Sequence, residues 1–145
     1  MNGRFIVNPA LCTGCRTCEL ACAFTHGENG KPGKSRIYPL DGGFKELWVP
    51  VACLQCDDAA CVKSCLVNAL SRNSETGAID LNNDKCVKCM ACIAACPFGC
   101  SLLDEEHDIV VKCDLCKGDP VCAHFCPSKA LVYITSESAA CKKVG

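Results

Sequence analysis

All but two of the 18 cysteines in this 145-residue chain fall into four tight runs; Cys100 and Cys141 stand apart. The first run is Cys12, Cys15, Cys18 and Cys22, spaced C-x2-C-x2-C-x3-C. The second, Cys53, Cys56, Cys61 and Cys65, reads C-x2-C-x4-C-x3-C. The third, Cys86, Cys89, Cys92 and Cys96, repeats the first spacing and is followed by Pro97. The fourth, Cys113, Cys116, Cys122 and Cys126, reads C-x2-C-x5-C-x3-C and is followed by Pro127. Thiols at this density serve as disulfides or as metal ligands. Disulfide frameworks belong to short secreted chains, whereas the residues from Met1 to Pro9 have neither a signal-type apolar region nor a twin-arginine pair. Structural zinc takes two well-separated two-cysteine knuckles, each giving two ligands to one tetrahedral ion. In this chain a third cysteine follows closely on each C-x-x-C, which is one thiolate too many for a knuckle.

The spacing suits iron–sulfur chemistry. In a C-x2-C-x2-C-x3-C-P run, three cysteines hold one [4Fe–4S] cube and the fourth reaches the neighbouring one. The reason is geometric: three closely spaced thiolates on one loop cap three irons, and the loop's N–H groups turn toward the cluster sulfurs. The fourth cysteine starts the next helical turn. Proline then ends the short helix, because it lacks an N–H and clashes with the preceding turn. In the second run Leu66 stands where that proline belongs, which weakens one helix stop and leaves the ligands untouched.

The four runs form an internal repeat, as a duplicated two-cluster unit would. Short hairpins are expected between them. Ala69–Arg72 and Ala78–Leu81 flank a turn with Asn73 and Gly77, and Ser101–Leu103 and Ile109–Val111 flank an acidic turn. Arg36–Tyr38 and Leu47–Val49 flank Asp41-Gly42-Gly43. Phe5–Val7 reads as a first strand with Leu131–Ile134 as its partner. The segment from His26 to Ser35, rich in glycine and lysine, reads as a loop. Spacing alone leaves two pairings of the runs open, sequential (one with two, three with four) or nested (one with four, two with three). Nesting would let the first and last strands share a sheet.

Composition excludes several functions. Aromatic residues make up 6% of the chain and the net charge is -1, spread in both signs without a basic block, which argues against nucleic acid. No apolar run reaches the ~18 residues of a membrane span, so a soluble, cytoplasmic protein is expected. No Gly-rich dinucleotide loop, phosphate loop or flavin motif is present. Lys85, Lys88, Lys112 and Lys117 lie beside cysteines of runs three and four, where positive charge favours a reduced cluster; Asp57, Asp58 and Asp114 would oppose it. Cys100 reads as a small buried hydrophobe, and Cys141 lies in a polar tail expected to fray. His26, His107 and His124 replace no cysteine and read as ordinary. Trp48, beside Pro50, is expected to pack near the second run.

These runs resemble the four-cluster electron-transfer subunits of dimethyl-sulfoxide-reductase-type molybdenum and tungsten oxidoreductases. They are also similar to the compact four-cluster ferredoxin subunits of carbon monoxide dehydrogenases, formate hydrogenlyase and tungsten aldehyde oxidoreductases. The residues that carry the likeness include Cys12-Thr13-Gly14-Cys15, Pro50–Cys56, Cys86–Cys92, Cys96–Gly99 and Lys112–Cys116. The resemblance implies an α+β fold of two nested bacterial-ferredoxin-like two-cluster modules, with short helices and small antiparallel hairpins. Residues 1–46 and 111–145 would form the outer module and residues 47–110 the inner one. It further implies four [4Fe–4S] clusters, held by Cys12, Cys15, Cys18 with Cys126; by Cys113, Cys116, Cys122 with Cys22; by Cys53, Cys56, Cys61 with Cys96; and by Cys86, Cys89, Cys92 with Cys65. Fully cysteine-ligated cubes leave no iron open to substrate, so the implied role is one-electron relay. The implied partners are a catalytic subunit with a tungsten or molybdenum cofactor, the aldehyde oxidoreductase type being favoured, and a flavin-containing subunit. The alternatives are a carbon monoxide dehydrogenase, hydrogenase or formate hydrogenlyase partner, or a free polyferredoxin. Copies of the chain could also stack into a longer conductor.

Overall fold

The computed structural model describes residues 3–44 and 47–135, so Cys141 and the tail lie outside the described residues. Four two-stranded antiparallel sheets are present among them. Strand β1 (Arg4–Val7) pairs with β8 (Leu131–Ile134), Phe5 opposite Tyr133 and Val7 opposite Leu131. The first strand therefore meets the last, with the Phe5 and Tyr133 rings 5.5 Å apart. Strands β4 (Leu70–Arg72) and β5 (Ile79–Leu81), and β6 (Ser101–Asp104) and β7 (Ile109–Lys112), form the two expected hairpins. Strands β2 (Tyr38–Asp41) and β3 (Trp48–Val51) form the third, a few residues later than the sequence suggests. Pro39 lies opposite Pro50 in it; prolines lack the ladder's N–H, so a pattern reading discounts such segments as strand.

The described helices are short and each buries at least one cysteine. Helix α1 (Thr17–Thr25) buries Cys18 and Cys22, an i, i+4 pair on one face, and leaves Leu20 and Phe24 exposed on the other. Helices α2 (Ala60–Lys63), α3 (Ala91–Ala95) and α4 (Val121–His124) bury Cys61, Cys92 and Cys122. Helix α2 stops before Cys65 without a proline. Ser64 Oγ donates to the Cys61 carbonyl (3.0 Å), and the exposed Leu66 plays no part.

Two cores result. One joins Cys18, Cys22, Ile37, Cys122, Cys126 and Leu131, where α1 lies against α4. The other joins Cys61, Leu70, Ile79, Cys92 and Val110, where α2 lies against α3. Gln55 ties the fourth run to the second core: its buried amide donates to the Cys113 carbonyl (2.9 Å) and accepts from Ile79 N–H (2.8 Å). Trp48 packs elsewhere than expected. Its indole lies on Gly14 in the first run, where an added Cβ would meet the ring at 2.5 Å. Gly14 also has φ +67°. Gly14→Ala should therefore lower stability by roughly 1–3 kcal/mol, from left-handed strain plus overpacking; denaturation of the loaded protein measures it.

The acidic turn between β6 and β7 is held by Asp104, which is buried. Its carboxylate accepts from Glu106 N–H (3.1 Å) and faces His107 Nδ1 at 2.9 Å. Hydrogen bonding to Asp104 lifts the His107 pKa above its ordinary value. Burial pushes Asp104 upward, but its bonds to His107 outweigh that and leave it below the usual carboxylate range. The sign follows from linkage. The histidine's contribution is complete below its unfolded pKa and fades as pH rises through the raised folded one. The aspartate's is lost as pH falls through its depressed one. Proton NMR titration should show His107 above about 6.5, and Asp104→Asn should bring it down.

Candidate iron–sulfur sites

The fold gathers the sixteen grouped cysteines into four sets. A cavity of about 110 Å3 is lined by Cys53, Cys56, Cys61 and Cys96, together with Cys100 and Lys112. A second cavity is lined by Cys65, Cys86, Cys89 and Cys92. A third is lined by Cys22, Cys113, Cys116 and Cys122. In the remaining set the charges of Cys126, Cys15 and Cys12 all act on Cys18. Each set takes three cysteines from one run and one from another. Charge also acts between sets: Cys18 on Cys122, Cys53 on Cys113, and Cys61 on Cys92.

The backbone around them is bent in one recurring way. The residue before the second cysteine of every run has positive φ: Gly14 (67°), Gln55 (51°), Lys88 (57°) and Leu115 (56°). Arg16 (60°), Met90 (59°) and Lys117 (60°) repeat this just after the second cysteine. Left-handed non-glycine residues are costly, and they persist where the surroundings over-determine them. Alternation of this kind turns successive N–H groups into an anion-binding concavity, a form common at iron–sulfur sites. Sulfurs already accept such bonds, Cys65 from Ala69 N–H (3.2 Å), Cys96 from Cys100 N–H (3.3 Å) and Cys22 from Arg36 N–H (3.3 Å).

Thiol acidity divides along the same lines. Burial pushes Cys18 up to about 11 and Cys122 up to about 12, and drives Cys113 up as well. Cys15 is lowered by the Thr17 hydroxyl and N–H. At Cys65 and Cys96 burial raises the value, but backbone N–H donors outweigh it and bring it down. Only the charge of a bound metal core offsets so many buried thiolates, so loading releases protons and acid opposes it. The donor set of four thiols, the inward N–H groups and the enclosed space all fit [4Fe–4S] cubes. Cys100 is 3% exposed and burial raises its pKa to about 12, leaving it a neutral thiol.

Charged neighbours differ among the four sets. Lys85, Lys88, Lys117, Asp57 and Asp58 are exposed, and Lys88 and Lys63 pair with Asp108 and Asp58. Lys112 is buried, with Nζ 3.4 Å from Cys53 Sγ and 3.4 Å from Ser101 Oγ. Burial opposes its charge, but the thiolates of Cys53 and Cys61 outweigh that and raise its pKa. His26 was not legible as a site residue. Its Nε2 lies 3.7 Å from Cys116 Sγ, 3.5 Å from Asp114 Oδ1 and 3.2 Å from Arg36 Nη1. No spacing rule links a histidine in a glycine-rich loop to a cysteine ninety positions later.

Sulfur sets of this make-up on short helices and paired strands define an iron–sulfur protein of the ferredoxin type, and the four runs set its [4Fe–4S] clusters at four. The family model described as a 4Fe-4S dicluster domain matches residues 44–136, and the chain belongs to that family. It is 40% identical over 121 residues to the aliphatic sulfonate oxidoreductase polyferredoxin-like subunit of Pyrococcus furiosus, covering 83% of this chain and 69% of the relative. It is 33% identical over 177 aligned positions to formate hydrogenlyase subunit 2 of Escherichia coli K12, covering 97% and 85% of the two chains. A solved chain of the active site complex BamBC of benzoyl coenzyme A reductase superposes with a TM-score of 0.52 at 20% identity, covering 91% of this chain and 77% of that one. That likeness is one of fold. No described helix is long and apolar enough to cross a membrane.

Proposed function

We propose that this chain is the electron-relay subunit of a tungsten- or molybdenum-dependent oxidoreductase, with an aldehyde-oxidising catalytic subunit as its partner. In this reading the clusters are held by Cys12, Cys15, Cys18 and Cys126; Cys22, Cys113, Cys116 and Cys122; Cys53, Cys56, Cys61 and Cys96; and Cys65, Cys86, Cys89 and Cys92. Residues 1–46 and 111–145 are then the outer module and residues 47–110 the inner one. The observation that carries it is the gathering of sixteen thiols into four sets, each with one cysteine borrowed from another run. The pairing of β1 with β8 supports the nested arrangement. A [4Fe–4S] core with four thiolates supplies reversible one-electron storage and no open metal position.

The chain's own residues do the rest. The four sets follow one another in a line, with Cys18 near Cys122, Cys113 near Cys53 and Cys61 near Cys92. The exposed Cys15 and Cys89 mark the two terminal sets. Electrons would enter and leave there, while the middle sets, none of whose cysteines is exposed, are better shielded from water. The Pyrococcus relative, named as a subunit of an oxidoreductase, favours a docked role. The formate hydrogenlyase relative favours a second reading, in which the partner belongs to a hydrogen-evolving complex.

Anaerobic isolation at native abundance tests both. The expected result is about sixteen iron atoms per chain and a larger co-purifying chain that carries tungsten or molybdenum. A monomer with full iron and no partner would instead establish a diffusing polyferredoxin, and a hydrogenase partner would establish the second reading.

A further inference from the structure

The four sulfur sets do not share positive charge equally. At the set of Cys22, Cys113, Cys116 and Cys122, the cation Arg36 is answered by Asp114, Nη1 to Oδ2 at 3.1 Å. At the set of Cys65, Cys86, Cys89 and Cys92, Lys88 is exposed and paired with Asp108. At the set of Cys12, Cys15, Cys18 and Cys126, Arg16 is exposed and paired with Glu19 at 3.4 Å. Lys112 alone combines burial, at 5% exposure, with the absence of a carboxylate partner among the described residues. Its ammonium is directed at Cys53 Sγ from the wall of the cavity that Cys53, Cys56, Cys61 and Cys96 line. Solvent screens a buried charge less than an exposed one, so Lys112 acts on this site more strongly than an exposed, paired lysine acts on its own.

We infer that Lys112 makes the site of Cys53, Cys56, Cys61 and Cys96 the most easily reduced of the four. This inference rests on the ligand sets proposed above. One electron enters the site from its neighbour, no proton or leaving group moves, and Lys112 keeps its charge throughout. The one-electron form carries one negative charge more, and the ammonium beside Cys53 favours that form over the oxidised one. The site is third in the line that runs from the Cys15 end, next to the Cys113 set on one side and the Cys92 set on the other. An electron from either end therefore comes to rest in the interior, which makes this position a one-electron store between the two docking ends.

Stepwise dithionite reduction of the anaerobic, fully loaded protein, followed by electron paramagnetic resonance at controlled potential, tests this. The first signal to appear should be the one altered or lost in Cys53→Ser. Lys112→Gln should lower that site's reduction equilibrium at least tenfold, which is 59 mV for one electron, and leave the other three unmoved. Lys112→Arg should restore it. Four retained signals with no selective shift in Lys112→Gln would overturn the role of Lys112 and leave the ligand sets standing. A wild-type protein with fewer than four clusters would overturn the ligand sets themselves. Should Lys112→Gln fail to load, the wild-type ordering decides alone: a first signal indifferent to Cys53→Ser ends the inference.

Discussion

Chelation of iron from the anaerobic protein should abolish the visible absorbance and the far-ultraviolet helix signal together, in one transition. The expectation follows from what holds the fold. Three of the four α-helices among the described residues have only four or five residues, far below the length at which a helix stands alone in water. The sheets are two-stranded, marginal units on their own. Cysteine and alanine make up six of the eight buried residues of the first core and three of the six of the second, so little large apolar surface is available. Left-handed residues such as Gln55, Met90 and Leu115 cost about 1–2 kcal/mol each. Buried thiols pushed as high as about 12 are neutral without metal and give no attraction in return. Circular dichroism followed alongside absorbance would contradict this account if the helix signal outlived the colour.

Cys18→Ala should remove one cluster, leaving about twelve iron atoms of sixteen, and loosen α1 against α4. Cys18 is buried at that helix contact and lies beside Cys122, so the neighbouring set is disturbed as well. Signals from the sets around Cys61 and Cys92 should persist, because they stand on the other core. Cys100→Ala is the contrast. It removes a buried neutral thiol whose backbone N–H still reaches Cys96 Sγ, so iron content and resonance signals should be unchanged. Iron analysis of the two variants side by side checks both, and full iron in Cys18→Ala would contradict the assignment.

The cysteine runs announced their chemistry because ligand spacing is local and the cube imposes it. Among the described residues the hairpins β4–β5 and β6–β7 were equally legible, since short apolar segments flank local turn signals; Phe5–Val7 was matched to Leu131–Ile134 by strand character, with no turn between them to fix the pairing. The third hairpin was displaced because Ile37 is 3% exposed in the first core instead of serving as strand, while Pro39 and Pro50 serve where a pattern excludes them. Trp48 was assigned by its nearness in sequence to Cys53, yet the turn back through β3 lays it on Gly14. His26 and the carboxylate-free burial of Lys112 are properties of three-dimensional neighbours. A count of charges beside cysteines could name Lys112 but could not separate it from Lys85, Lys88 and Lys117.

The union of β1 with β8 bears on how the chain is made. A nascent polypeptide emerges from its amino end and folds as it goes, yet in the proposed sets the thiols of Cys12, Cys15 and Cys18 must find Cys126, which follows Cys18 by 108 positions. The sulfurs on either side of β4 and β5 are complete much sooner. Metal delivery to a chain still on the ribosome would thus begin with the sulfurs around β4 and β5 and close with those that await Cys126. Cys12, Cys15 and Cys18 would wait longest, reduced and unguarded, for their fourth partner.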